Sequence, residues 1–365
     1  MRVLLTLLLC AAASRAEEKP SPFIDPDDGW FDVSGFLEKV YGAVPVIAPI
    51  TEPAVGYGAA GALVFVDRDL SAGPGARPDL YVIGGLYTES QSWGAMGLYS
   101  GNFLRGDLHT LAGLGYFSLN LKYYGLGDDA SLSRNPVNYN LQASILGGSA
   151  AYRIASTPLF AGLGVLLGKT EVDVNGGGSV PSDQQVTLLS FRPLLQFDTR
   201  DNIFTPTRGL FGEAGFSFIH QSDGPWFELF DLTAIGYLPL LPRELFLGVK
   251  AGAGFSFGDG PFYLRPYVDL RGAPRLRYQG EEAAEVEVEL RWQFWKRFSL
   301  VGFGGAGGAW NSFLGFDRSQ AVVTGGAGFR YELARKVGLH MGADFAFGKD
   351  GFALYIQFGS AWAHL

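Results

Sequence analysis

The chain has 365 residues, and its 36 acidic and 28 basic side chains leave a formal charge of −8, an unfavourable balance for binding a nucleic-acid backbone. Only 18% of residues are charged, while 52 glycines, 29 phenylalanines and 16 tyrosines accompany a positive mean hydropathy, a poor match to an ordinary soluble enzyme. The single cysteine, Cys10, lies near the start, and the four histidines are scattered, so neither a disulfide framework, a metal cluster nor a cofactor is expected.

Residues 1–16 read as a secretory signal. Arg2 is the basic start, Val3 to Ala13 an apolar core too short to span a bilayer, and Ser14-Arg15-Ala16 offers small residues for cleavage. Leu9, ahead of Cys10, is too large for lipoprotein processing. Cleavage removes Arg2 and Arg15 and no acid, taking the formal charge from −8 to −10.

Residues 17–52 are expected to form a periplasmic N-terminal segment. Its start, Glu17 to Gly29, is acidic and proline-rich, which predicts poor order. Asp25, Asp27, Asp28 and Gly29 resemble a calcium loop, but the glycine is one place early and no glutamate stands at the twelfth position. From Ser34 to Tyr41, Phe36, Leu37, Val40 and Tyr41 share one helical stripe. With Ser34 as cap and Gly42 as stop, they predict a short helix against the barrel mouth.

From residue 53 onward the chain alternates between period-two segments and turns. Strands are predicted near 54–66, 79–90, 92–102, 107–121, 139–154, 159–173, 186–199, 209–220, 226–240, 244–257, 283–295, 298–310, 321–333, 337–347 and 351–362. These are fifteen, and single-chain bacterial barrels have even counts, so a strand near 43–50 or a split elsewhere is required. Register is least defined before residue 120. No apolar run after the signal reaches the roughly 18 residues of a membrane helix; the richest, Ala43 to Val66, is cut by Pro45, Pro49, Glu52 and Pro53. The fold class is therefore all-β: a transmembrane antiparallel β-barrel of about 16 strands over 53–365, in the outer membrane. The glycine run 302–308 has no strand-to-helix junction around it and reads as lumenal or close-packed strand, not as a phosphate loop.

One strand states the geometry most clearly. In Glu285-Val286-Glu287-Val288-Glu289-Leu290-Arg291-Trp292, charged and apolar residues alternate strictly. A membrane barrel turns Val286, Val288, Leu290 and Trp292 to lipid and the glutamates to the lumen. Successive glutamates on one face are about 6.6 Å apart and repel by about 2–3 kcal/mol at an effective dielectric near 20. Such a row needs water or cations, and Arg271, Arg275 and Arg277 precede it, which predicts an arginine-bearing loop folded onto an acidic wall.

Two stretches resemble the BamA/TamA superfamily, also called bacterial surface antigens. Residues 197–209, Phe-Asp-Thr-Arg-Asp-Asn-Ile-Phe-Thr-Pro-Thr-Arg-Gly, look like its hallmark turn, with Asp198, Arg200, Asp201, Pro206, Arg208 and Gly209 as the key positions. Arg271-Gly272 looks like the centre of its loop motif between strands eleven and twelve. The match extends to a glycine-rich thirteenth strand at 326–330, to Asp344 on the fifteenth, and to a final strand closing on Trp362. The resemblance implies that Arg271, with Arg277 as rival, enters the lumen and pairs with Glu285, Glu287, Glu289 or Asp344. Ala273 departs from the family's usual aromatic, and residues 17–52 leave no room for a POTRA domain, so delivery of substrate by such domains is not expected.

Three function classes follow. The resemblance implies insertion or translocation of proteins or lipids, with outer-membrane lipid, the assembly machinery and unfolded outer-membrane or secreted clients as partners. A passive channel or structural barrel is the alternative. A hydrolase would need a histidine site, and His109, His220, His340 and His364 offer none; His340 and Asp344, four places apart on one strand face, are separated by about 13 Å.

Overall fold

A computed structural model describes residues 21, 23–39, 43–67, 79–126, 130–174, 184–222, 224–311 and 321–362; the signal at 1–16, Val40, Tyr41, Gly42 and His364 lie outside them. Sixteen strands follow one another in sequence order in a single antiparallel sheet. They are β1 (Ala43–Ile50), β2 (Gly58–Asp67), β3 (Asp79–Thr88), β4 (Trp93–Phe103), β5 (Leu108–Tyr123), β6 (Val137–Arg153), β7 (Leu159–Val174) and β8 (Gln184–Asp198). The rest are β9 (Gly209–Gln221), β10 (Phe227–Leu241), β11 (Leu245–Phe257), β12 (Glu282–Trp295), β13 (Phe298–Trp310), β14 (Val322–Ala334), β15 (Leu339–Gly348) and β16 (Gly351–Phe358). No described helix is long and apolar enough to cross a membrane; the strands do so.

Burial shows which way the barrel faces. Along β12, Val286, Val288, Leu290 and Trp292 are 39% to 51% exposed, whereas Glu287 and Arg291 are buried. Ile47, Ile83, Leu114 and Leu238 are likewise turned outward on other strands. An apolar belt of this kind costs about 25 cal/mol per Å² in water and belongs in lipid.

Several sequence expectations change. β1 supplies the sixteenth strand, so the sheet begins inside the stretch assigned to the N-terminal segment, and the barrel starts at Ala43 instead of residue 53. Residues 326–330 lie on β14, not on a thirteenth strand. The last strand stops at Phe358, and Trp362 lies beyond it. The segment 23–29 is not loose: Asp25, Asp28 and Asp32 all grip Arg297 in the β12–β13 turn. The helix is α1 (Ser34–Lys39), but its N-terminal cap is Asp32, which accepts the Ser34 N–H at 2.6 Å. The Ser34 hydroxyl instead accepts the Lys336 N–H in the β14–β15 turn, at 3.2 Å. Residues 23–39 and 359–362 therefore share one rim, called basal here, with the β8–β9, β12–β13 and β14–β15 turns; the opposite rim is apical.

β1 and β16 are the two sheet edges. Among the described residues no ladder joins them, and at eight residues each they are the shortest strands. Pro45 and Pro49 lack a backbone N–H, and proline within a sheet is confined to edges, where that donor is not needed.

Candidate functional site

The loop between β11 and β12, residues 258–281, folds back into the lumen as a compact hairpin. Val268 N–H donates to the Tyr278 carbonyl at 3.0 Å and Gly280 N–H to that of Pro266 at 3.1 Å. One side of the hairpin, Val268, Leu270, Ala273 and Tyr278, packs against Ala283, Ala309 and Val322 of the wall. Glycine makes the seat: a Cβ at Gly305 would lie 2.8 Å from the Leu270 side chain, and one at Gly307 2.7 Å from Val268. The glycine run of β13 is thus the cradle of the loop.

At the hairpin tip Gly272 takes φ +92°, a left-handed conformation that glycine adopts without strain, and donates its N–H to Tyr355 Oη at 3.1 Å. This turn aims Arg271 at the wall. Its Nε donates to Glu287 Oε1 at 2.7 Å and its Nη1 to Asp344 Oδ2 at 2.8 Å, while Glu289 Oε2 lies 2.8 Å from Nη1. The guanidinium lies 3.8 Å from the centre of the Phe303 ring. Asp344 is fully buried and also receives Arg330 Nη2 at 2.8 Å. A buried charge set of this kind contributes little net energy, but removing one member leaves uncompensated charge. It therefore fixes the position of the loop more than it adds stability.

The other expected members lie elsewhere. Glu285 faces Lys250 at 3.5 Å and makes no contact with Arg271. Arg277 sits toward the apical rim, paired with Asp350 at 3.2 Å and stacked 4.1 Å over Tyr124. Arg330 and Lys250 complete the network without a signal of their own in the sequence, and Trp362 joins them. Trp362 carried a signal, as the last aromatic of the chain, but its position in a strand could not indicate that it turns into the lumen.

The β8–β9 turn lies at the basal rim beneath this network, tied to β12 and β15. Asp198 and Arg200 are both buried and pair through two contacts of 3.0 and 2.8 Å, with Arg200 4.4 Å over the Phe211 ring. Asp201 accepts the Thr207 N–H at 2.9 Å, whereas its ion pair with Arg208 is stretched to 4.0 Å and Arg208 is exposed. Pro206 is buried and its carbonyl accepts Arg291 Nη2 from β12 at 3.2 Å. Gly209, at φ +104°, passes so close to the Thr199 carbonyl that a Cβ would sit 2.3 Å away. The turn reaches across to the chain end, where Ser360 N–H donates to the Phe204 carbonyl at 2.6 Å. Between the loop and the β1–β16 edges lies a cavity of 270 Å³ lined by Pro49, Glu52, Arg271, Tyr355 and Trp362 among others.

No protein-family model matches the sequence, and no curated protein sequence matches it. Solved structures do. BamA from Haemophilus ducreyi lacking POTRA domains 1–3 superposes with a TM-score of 0.57 over 88% of this chain and 70% of that one, at 11% identity. The fold is a BamA-type barrel. CdiB from Acinetobacter baumannii gives the same TM-score of 0.57 at 10% identity, over 87% of this chain; the chain spans 59% of the length of CdiB. At such identities the likeness is one of fold. Both are outer-membrane barrels, in keeping with the apolar outer belt.

Proposed function

We propose that this barrel inserts or translocates proteins or lipids at the outer membrane, using the β1–β16 seam as its working edge. The observation that carries this reading is the seam: two eight-residue strands, one interrupted by Pro45 and Pro49, with no ladder between them among the described residues. Parting a paired seam in lipid costs several kcal/mol for each backbone group left bare. A seam with few pairs to lose can part cheaply. The lumen behind it is obstructed by residues 258–281, pinned through Arg271 to β12 and β15, which suits an insertion device better than an open pore.

A disulfide engineered across β1 and β16 tests this. Reconstituted protein should accelerate membrane insertion of an unfolded eight-stranded outer-membrane barrel, and the oxidised lock should abolish that activity while the barrel stays folded. In planar bilayers conductance should be small and unsteady. Large, steady, ohmic conductance that survives the lock would establish a channel instead.

A further inference from the structure

The lumen wall has two unlike halves. Side chains of facing strand partners share a face, so register traces one lumenal row through Ser100, Leu111, Ser149, Gly164 and Arg192. From β8 to β15 this face carries the ions already described. Across the middle of β4 to β7 it is largely apolar: Met96, Leu111, Ile145 and Leu166 point into the lumen and are 36% to 40% exposed there. A water-filled lumen is expected to be polar, and its lipid-facing side apolar; here both faces are apolar. Glycines at 113, 147 and 164 hollow the wall, and Leu264 of the lumenal loop borders the result, a cavity of 510 Å³. That is the size range of ligand pockets.

A second cavity of 170 Å³, of mixed character, adjoins it on the basal side and shares Leu111, Ser149 and Arg192 with it. Its own lining sets Asn102, Gln196 and Glu213 beside Leu80, Leu194 and Ile203. Arg192 lies at the junction of the two. It donates to Asp231 Oδ1 at 3.2 Å and to Glu213 Oε1 at 2.9 Å, so one cation stands against two carboxylates. An apolar chamber that adjoins a mixed one, with an ionic cluster of one cation and two carboxylates at their junction, fits an amphiphile. The geometry points to a lumenal site that takes the acyl chain of a lipid-like amphiphile between β4 and β9, with an amine-bearing head at Arg192, Glu213 and Asp231. The chain replaces water against Met96, Leu111, Ile145 and Leu166, and the amine offsets the surplus carboxylate. A carboxylate head would face two like charges and is disfavoured. The site needs no opening of the seam and stands apart from the insertion reading.

Gly164 is the position for a test, because a Cβ there meets nothing closer than 3.6 Å and a large side chain would grow into the chamber. Protein held in amphipol is titrated with 1-palmitoyl-lysophosphatidylethanolamine and read by native mass spectrometry. Wild type should bind one equivalent saturably, and Gly164→Phe should weaken binding by roughly tenfold or more. Should Gly164→Phe fail to fold, the Ile145→Gln and Leu166→Gln pair, which makes the chamber polar, should weaken it similarly. Palmitate should bind less well than the lysolipid, and glycerophosphoethanolamine, which lacks the chain, should not bind measurably. Equal, non-saturating binding to wild type and variant would mean lipid on the outer belt only and would overturn the site. Palmitate binding as tightly as the lysolipid would overturn the head assignment.

Discussion

The indole Nε1 of Trp362 donates to Glu287 Oε1 at 2.9 Å, so a residue beyond the last strand holds the same carboxylate that receives Arg271 from the lumenal loop. Trp362 is packed with Phe211 and Ile235, on the wall next to the β8–β9 turn. The chain end, the loop and β12 thus meet on one oxygen. Trp362→Phe keeps much of the packing and loses one hydrogen bond to a charged group, about 1.5–3 kcal/mol. Trp362→Ala also empties the site, at about 3–5 kcal/mol. The temperature at which the folded barrel loses its heat-resistant gel mobility should fall in the order wild type, Phe, Ala.

Arg271 and Arg277 are six residues apart yet differ in what they hold. Arg271 is buried among Glu287, Glu289 and Asp344, so Arg271→Ala leaves carboxylates uncompensated and should cost on the order of 3–5 kcal/mol. Arg277 has one carboxylate partner, Asp350, nearer the apical rim, and its loss should cost far less. Assembly yield and heat-resistant mobility should drop for Arg271→Ala and change little for Arg277→Ala. The reverse outcome would make Arg277 the anchor of the loop.

Neighbouring strands offer a paired glycine test. A Cβ on Gly328 would lie 1.9 Å from Asp344 Oδ1 and 2.8 Å from the Ala343 carbonyl, so Gly328→Ala must displace Asp344 from Arg271 and Arg330. Gly302 faces outward with nothing within 4 Å of its Cβ position. Gly328→Ala should destabilise the barrel by about 2–4 kcal/mol as the buried pairs separate. Gly302→Ala should be close to neutral, within about 0.5 kcal/mol. Similar losses for both would mean that any side chain disrupts these strands, and would detach the effect from Asp344.

How much of this was legible in the sequence depended on contrast between the faces. β12 announced itself because glutamate and valine alternate, and β15 because Leu339, Met341, Ala343, Phe345 and Phe347 share one face while His340 and Asp344 fall on the other. Strands β2 to β7 were harder to register because residues such as Leu98 and Met96 point into the lumen while Leu114 and Leu146 point outward; with both faces apolar the period-two signal fades. β1 was hidden by its prolines, which break a strand pattern in the same way that they mark an edge. Trp362 and Arg330 lacked a legible role because their partners, Glu287 and Asp344, are 75 and 14 residues away. The stretch 23–32 departs from its expected looseness for a different reason. Its composition is that of a solvated tail, and one cation on a distant turn changes its fate.

That cation is Arg297, whose side chain is 2% exposed and reaches Asp25, Asp28 and Asp32. Trp30, between them, packs edge-on against Trp295 and Phe298. The hydrogen bond from Arg297 holds the Asp28 carboxyl below its ordinary 3.8. For Asp32, burial pushes upward, but hydrogen bonds from Ser34 and Arg297 outweigh it and the carboxyl is also lowered. Carboxyls whose folded values are depressed contribute docking energy that is complete above their unfolded value and disappears as pH falls through the folded ones. The segment should therefore stay on the rim at pH 7 and release only below about pH 4. A nitroxide at Ser21→Cys, with Cys10 replaced, should be immobile at neutral pH and tumble freely in acid. Arg297→Ala should free it at every pH, and Arg297→Lys only partly restrain it, because one ammonium cannot fork to three carboxylates. A label that stays immobile in Arg297→Ala would show that Trp30 and the contacts of α1 hold the segment without the ion pairs.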